Sequence, residues 1–223
     1  MTEITDHLAD IVERVTRAAG RTQSAKHVTI VAVSKQQSSD RIADAFRAGQ
    51  RDFGESYAQE AIPKMAALHE LPITWHFIGT IQTNKTRAIA ERFQWVHTVD
   101  RAKIAVRLDE QRPHFAPPLN VLIQVNQAGE ERKGGVPESE AMSLARAILE
   151  LPRLKLRGLM TIPPQSGDAG QWFRGLAALR ERVRGEGLEL DTLSMGMSAD
   201  FEAAIAAGSN CVRIGTAIFG ERG

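Results

Sequence analysis

Apolar residues follow two different periods along the chain, and the alternation between them predicts the fold. Over the first 19 residues the helical period predicts an amphipathic helix that ends near Gly20. Residues 28–34 then form an almost continuous apolar run rich in β-branched side chains, which is typical of a strand buried on both faces of a parallel sheet. Ser38 is a candidate N-cap for the next helix, which we expect to reach Gly49. The apolar positions of the first helix are Ile4, Leu8, Ile11, Val12 and Val15.

Further strand-like runs follow at intervals, with helical stretches between them. They are residues 51–54, 75–79, 95–99, 120–125, 156–162, 192–197 and 211–215. Strands that alternate with helices imply right-handed crossovers and a parallel sheet, and eight such units predict an α/β protein of the (β/α)8 TIM barrel type. An open doubly wound sheet is the alternative, although neither a GxGxxG nor a GxxxxGK[ST] motif accompanies it. We expect residues 1–223 to form a single barrel domain.

Composition narrows the range of partners. The 223 residues are 43% hydrophobic, and 28 Lys and Arg balance 27 Asp and Glu, so no net field favours nucleic acid. The one cysteine, Cys211, excludes an internal disulfide and suits a reducing compartment. Near its N-terminus the chain has acidic residues, whereas a secretory signal would have positive charge there. No segment approaches the roughly 20 apolar residues that span a bilayer. We expect a cytoplasmic protein without a nucleic-acid or membrane partner and without a metal site.

Lys35 ends the first predicted strand and is the first candidate for chemistry. An amine at the edge of an apolar core has its charged form disfavoured, which makes it a usable nucleophile toward an aldehyde. The alternative is a lysine that extends into solvent where a strand meets a loop. Because active sites in such barrels lie at the carboxyl ends of the strands, the position of Lys35 agrees with a functional role.

Two segments near the C-terminus predict a phosphate site. Ser198 is a candidate N-cap, with Asp200 in the first turn and Gly208 just past the end of the helix. In the next segment, Gly215 allows the backbone to approach a ligand and Thr216 can donate a hydroxyl. Barrels frequently bind phosphate with the loops after strands seven and eight, which are these segments. An ordinary capped helix followed by a packed strand is the alternative.

Arg213 interrupts the apolar residues of the last predicted strand. A guanidinium on the interior face needs an acceptor there, whereas the alternative is an arginine that faces the surface. A closed barrel makes the first and last strands neighbours, which would bring Lys35 and Arg213 together. A lysine able to form a Schiff base, a fixed cation and a phosphate pocket together indicate pyridoxal 5'-phosphate.

Other titratable side chains lie near the predicted strand ends. His76 could titrate near neutral pH beside a ligand, although a structural hydrogen-bonding role is the alternative. Glu55 and Glu60 could act as a carboxylate pair, but the lack of metal-ligand spacing favours salt bridging or capping instead.

At these residues the chain resembles the pyridoxal 5'-phosphate homeostasis protein family, whose members are single-domain relatives of the barrel domain of alanine racemase. The resemblance implies a protein that binds this cofactor and buffers it inside the cell, without efficient catalysis of its own. We expect a monomer that delivers the cofactor to apo forms of dependent enzymes. The matching segments, in the order of the family, are residues 32–35, 53–55, 75–79, 82, 84–85, 158–160 and 195–220.

The resemblance also assigns roles to residues. Lys35 would carry the cofactor as an internal aldimine, and Arg213 would face its pyridine nitrogen. An arginine there disfavours protonation of the ring, so the ring is a weak electron sink. Ser198, Gly215 and Thr216 would hold the phosphate. The complete predicted cofactor-binding set is Lys35, Ser56, His76, Met195, Ser198, Arg213, Ile214, Gly215 and Thr216.

The chain departs from the family at Ser56, where an asparagine is usual. A serine offers one hydroxyl in place of the separate donor and acceptor of an amide. Lys133 agrees with the family and is a candidate second amine near the barrel mouth, a solvated loop lysine being the alternative.

Two enzymatic hypotheses compete with the binding role. The first is an amino-acid racemase of the alanine-racemase type, but in those enzymes a second domain completes the site and the partner subunit supplies a tyrosine base. Here the one tyrosine is Tyr57, so we expect no efficient racemisation. The second is a phosphate-binding aldolase that uses Lys35 directly, for which His76 is the available acid or base.

Overall fold

Eight parallel strands close into a barrel in the computed structural model, which describes residues 3–22, 27–130, 133–164 and 167–221. Each strand pairs with the next along the chain, and β8 pairs with β1. The predicted (β/α)8 fold is therefore confirmed, and the open sheet is wrong. The strands are β1 Thr29–Val33, β2 Asp52–Glu55, β3 Thr74–Phe77, β4 Trp95–Val99, β5 Leu119–Gln124, β6 Leu154–Met160, β7 Thr192–Ser194 and β8 Cys211–Ile214.

Helices surround the barrel and follow the strands in turn. They are α1 Glu3–Gly20, α2 Ser39–Arg47, α3 Ala58–Ala67, α4 Thr86–Arg92, α5 Ala102–Gln111, α6 Glu138–Leu149, α7 Ala169–Gly185, α8 Phe201–Ala206 and α9 Thr216–Phe219, with a 3-10 turn at Thr83–Lys85. The predicted N-cap at Ser38 is confirmed, because its hydroxyl accepts a hydrogen bond from Arg41 N at 3.4 Å. The first helix begins at Glu3 and its apolar face is buried, except that Val12 is exposed.

Helix α1 completes the helical ring where the first and last strands meet. It packs against α8 and α9, and the His7 ring donates from Nδ1 to Ile218 O at 3.2 Å. The register between β1 and β8 pairs Val31 with Arg213 and Ala32 with Ile214. Because the strands run parallel, their carboxyl ends meet at one edge of the barrel, which places the segments after β1 and β8 side by side.

Gly158 allows β6 and β7 to approach each other closely. A Cβ at this position would lie 1.8 Å from Thr192 O, which belongs to the backbone of the neighbouring strand. We expect Gly158→Ala to lower the free energy of unfolding by about 3 kcal/mol, since the two strands must separate to admit the methyl group. Urea unfolding monitored by circular dichroism would measure the loss.

Gly185 provides the matched control for that substitution. It is the last residue of α7, and among the described residues no heavy atom beyond its chain neighbours and the adjoining helix backbone lies within 4 Å of the place its Cβ would take. Gly185→Ala should leave stability unchanged or raise it by up to about 1 kcal/mol. Equal stability changes for the two glycine variants would contradict the proposed crowding at Gly158.

Candidate functional site

A cavity of about 390 Å³ opens at the carboxyl ends of the strands. Its volume lies within the range of small-molecule sites. Residues that follow β1, β2 and β3 form much of its wall, and Lys35 and Ser56 are the two members of the predicted cofactor set that line it. Other lining residues include Tyr57, Gly79, Lys85 and Lys133.

Lys35 lies just beyond β1, where the chain changes direction sharply. Its side chain is half-buried, and the next residue, Gln36, has a φ of 63°, a left-handed conformation that non-glycine residues rarely adopt. Gln36 N donates to Glu60 Oε1 at 2.5 Å. Strained backbone of this kind persists where surrounding contacts impose it, and such contacts cluster at functional sites.

An ion cluster of Glu55, Glu60 and Lys64, of which Glu55 and Lys64 are buried, bonds the backbone around this turn. Lys64 Nζ donates to Ser34 O at 2.8 Å, to Glu55 Oε1 at 2.9 Å and to Glu60 Oε1 at 2.5 Å. Ser34 Oγ also donates to Glu55 Oε1, at 2.7 Å. Together with the bond to Gln36 N, the cluster holds the backbone on both sides of Lys35.

The expected salt bridging of Glu55 and Glu60 is thus confirmed, while Lys64 was not predicted as part of the site. Its spacing of four residues from Glu60 on a helix is a local signal that could have found it. Burial raises the pKa of Glu55, and its hydrogen bonds to Ser34 and Lys64 oppose that shift. Glu55 Oε2 is buried without a hydrogen-bond partner in the part of the chain that the structure describes.

The segments after β7 and β8 meet around the Ser198 hydroxyl. Ser198 Oγ accepts from Gly215 N and from Ala217 N, each at 3.4 Å. The prediction that Ser198 caps a helix is wrong: α8 begins at Phe201 with Asp200 as its N-cap, and Asp200 Oδ1 accepts from Met197 N at 2.6 Å. The hydroxyl is therefore directed across to the start of α9.

This arrangement fits a phosphate group. One hydroxyl and two backbone amides converge, and Thr216, at the start of α9, is exposed beside them. A Cβ at Gly215 would lie 3.4 Å from Val33 Cβ, two residues before Lys35. A side chain there would occupy the space between the cradle and the end of β1. The donor set and the neighbouring lysine suit the predicted cofactor.

Arg213 is directed into the barrel, as the sequence predicts, and its acceptors are present. The residue is 4% exposed, and its guanidinium donates to Ser194 Oγ at 2.6 Å and to Thr161 O at 2.9 Å. Burial lowers its pKa from the usual value for arginine. It pairs with Val31, the middle residue of β1, four residues before Lys35. The role of Arg213 toward a cofactor stays a prediction.

The remaining predicted residues differ in which of their atoms could contact a cofactor. Met195 and Ile214 have fully buried side chains, so their backbone is the part that could reach a ligand. Ser56 is half-buried in the wall of the cavity, and a Cβ at Gly79 would lie 2.0 Å from Ser56 O. This close approach holds the loops after β2 and β3 together.

His76 requires a correction. Its Nε2 lies 3.0 Å from Asp52 Oδ1 and its Nδ1 lies 2.9 Å from His97 Nε2, so both ring nitrogens have partners within the barrel. His76 lines a second cavity, of about 280 Å³, together with residues at the amino ends of the strands. We therefore remove His76 from the proposed cofactor contacts. The strand direction explains the error, since His76 lies inside β3 and not after its carboxyl end.

The fold and the site define the class as a (β/α)8 barrel with a lysine after the first strand and a hydroxyl-amide cradle after the last two. The family model of the alanine racemase N-terminal domain matches residues 7–223, and the chain belongs to this family. Within it, the chain belongs to the pyridoxal phosphate homeostasis protein family. A Pseudomonas aeruginosa protein of that name is 51% identical over 225 residues, covering 100% of this chain and 97% of the relative.

Two further proteins are similar over nearly the whole chain. The pyridoxal phosphate homeostasis protein of Escherichia coli is 48% identical over 229 residues, which cover 100% of this chain and 98% of that protein. PipY of Synechococcus elongatus, solved with PLP bound, is 33% identical and has a TM-score of 0.84. That similarity covers 97% of this chain and 100% of the PipY chain.

Within residues 3–22, 27–130, 133–164 and 167–221, no helix has the length and hydropathy needed to cross a membrane. In those ranges no group of three or more His, Cys, Asp or Glu side chains is arranged to hold a metal ion.

Proposed function

We propose that this protein binds pyridoxal 5'-phosphate covalently at Lys35 and serves as a cytoplasmic reservoir for it. The observation that carries the proposal is the position of Lys35. It lines the cavity, the ion cluster holds the backbone on both sides of it, and Val33, two residues earlier, lies beside Gly215 of the cradle. The name shared by the relatives and the PLP-bound PipY support the same function.

Each part of the site has a separate task. When bound, the cofactor supplies an aldehyde whose condensation with an amine releases water and is reversible. Lys35 provides that amine, and the ion cluster holds the backbone on either side of it. Ser198, Gly215 and Thr216 bind the phosphate through hydroxyl and amide donors. Arg213 would offer the pyridine nitrogen a donor, which disfavours ring protonation.

The proposal includes delivery of the cofactor to apo forms of dependent enzymes, without efficient catalysis by this chain. The aldolase hypothesis required His76 as acid or base near Lys35, but His76 is bonded to Asp52 and His97 within the barrel. Tyr57 lines the cavity with 60% of its surface exposed, whereas a catalytic base has to be held within hydrogen-bond reach of the proton that it removes.

The test is to load the purified protein with pyridoxal 5'-phosphate, reduce it with borohydride and map the modified peptide. We expect a new absorption band and one modified residue, Lys35. Incubation of loaded protein with an apo-enzyme should then restore the activity of that enzyme. Absence of a reducible adduct would overturn the binding proposal, whereas an adduct that is never released would overturn the reservoir. Racemisation of an amino acid by the loaded protein would overturn the proposed lack of catalysis.

A further inference from the structure

A chain of hydrogen bonds crosses the interior of the barrel from Arg213 to Asp52. Arg213 donates to Ser194 Oγ at 2.6 Å, and Ser194 Oγ lies 2.9 Å from His97 Nδ1. His97 Nε2 then lies 2.9 Å from His76 Nδ1, and His76 Nε2 lies 3.0 Å from Asp52 Oδ1. The side chains that link Arg213 to Asp52 are all buried, namely Ser194, His97 and His76.

The contacts pass through the barrel and not along its wall. His97 belongs to β4 and Ser194 to β7, and the order of the strands places β5 and β6 between them. The two side chains can meet because both are directed inward. Ring contacts restrain the histidines, since the Trp95 ring stacks on His76 with a centroid distance of 5.6 Å and His76 meets His97 edge to face at 5.1 Å.

The chain of bonds has one consistent direction. A carboxylate at Asp52 accepts hydrogen bonds, so His76 Nε2 must carry the proton between them. If His76 is neutral, its Nδ1 is an acceptor, and His97 Nε2 must be the donor. If His97 is also neutral, its Nδ1 accepts from the Ser194 hydroxyl. The oxygen of Ser194 is then free to accept from Arg213, which always donates.

The surroundings favour neutral histidines. Burial lowers the pKa of His76, although Asp52 opposes this shift. Burial lowers the pKa of His97 further below its usual value, and the nearby His76 and Arg213 act in the same direction. Each imidazole ring therefore has one donor and one acceptor nitrogen, which is what this series of hydrogen bonds requires.

We infer that Ser194, His97, His76 and Asp52 are positioning residues that fix the guanidinium of Arg213 inside the barrel, from where it would reach the pyridine nitrogen of the cofactor. The inference deepens the proposed function, because it assigns the support of the cation that faces the pyridine nitrogen. The neutral imidazole rings supply this support without adding a second positive charge near the pyridine ring of the cofactor. Ser194 is the link that touches Arg213 directly, so it is the residue to vary.

The direction of the chain is tested in the cofactor-free protein. Nitrogen-15 NMR of the imidazole rings, assigned with His76→Gln and His97→Gln, should show both histidines as neutral Nε2–H tautomers throughout about pH 6 to 8. A proton on Nδ1 of either ring, or a charged ring within this range, would overturn the inferred chain. This measurement does not depend on cofactor binding.

The support of Arg213 is tested in the loaded protein. Ser194→Ala should shift the absorption maximum of the bound cofactor and weaken its binding about tenfold, the effect of one lost bond to a charged group. Ser194→Thr keeps the hydroxyl and should restore both values. The control is Ser209→Ala: Ser209 is an equally buried serine whose hydroxyl donates to backbone carbonyls, including that of Met195 at 2.8 Å.

The outcomes separate the inference from the proposed function. Identical spectra and affinities for Ser194→Ala and Ser209→Ala would overturn the positioning role while leaving cofactor binding intact. Failure of the wild-type protein to bind the cofactor would overturn the proposed function, and the NMR result would then decide the hydrogen-bonded chain on its own.

Discussion

Lys35→Ala is expected to abolish the borohydride-reducible adduct of the protein while leaving the fold in place. The proposed covalent bond requires the Lys35 amine, and the cradle proposed around Ser198 would then bind the phosphate only reversibly. Lys35 is half-buried at the wall of a cavity, outside the packed core, so the free energy of unfolding should change by no more than about 0.5 kcal/mol. Mass spectrometry after reduction and urea unfolding of the free protein measure the two effects.

Two other lysines in the same cavity provide matched controls. Lys85 and Lys133 line it with Lys35, and Lys133 Nζ donates to Pro163 O at 2.9 Å. Lys85→Ala and Lys133→Ala should each retain the adduct at Lys35, because neither removes the amine held by the ion cluster. A comparable yield of reducible adduct in Lys35→Ala would contradict the assignment of the covalent site.

Lys64→Met should have the largest effect on stability. The substitution removes the ammonium from between Glu55 and Glu60 and leaves the fully buried Glu55 carboxylate without its counter-charge. Removal of one partner from a buried ion pair destabilises proteins by roughly 3–5 kcal/mol. We expect a loss of about this size in the free energy of unfolding at neutral pH.

The loss should depend on pH in a defined direction. Burial raises the pKa of Glu55, and Lys64 is among the contacts that lower it, so removing Lys64 raises it further. A carboxyl group with a raised pKa in the folded state contributes stability that is complete below its unfolded pKa and is lost as the pH rises through the folded value. The stability difference between wild type and Lys64→Met should therefore widen between about pH 5 and about pH 8.

Lys103→Met is the control for that experiment, because Lys103 is an exposed lysine on α5. Its stability change should stay within about 0.5 kcal/mol at both pH values. A pH-independent loss in Lys64→Met would show that the lysine acts through packing and not as the counter-charge of Glu55.

The sequence by itself determined the order of the strands and the residues at their ends. Residues 95–99 were predicted as a strand and form β4, and Gly208 has a φ of 98° just past α8, as expected after a helix. These features follow from local periodicity and from the conformational freedom of glycine. Lys35 and Arg213 were found in the same way, since a charged residue at the end of or inside an apolar run is a local signal.

The tertiary structure decided which distant side chains meet. Ser198 was expected to cap its own helix, yet its hydroxyl reaches Gly215 N, 17 residues further along the chain. His76 was expected near the ligand, but barrel closure directs it toward Asp52 and His97, and no periodic pattern indicates that His97 meets Ser194 across the interior, 97 residues away. The periodicity of a strand tells which positions are buried, but the register and closure of the whole barrel decide what each buried polar group can bond.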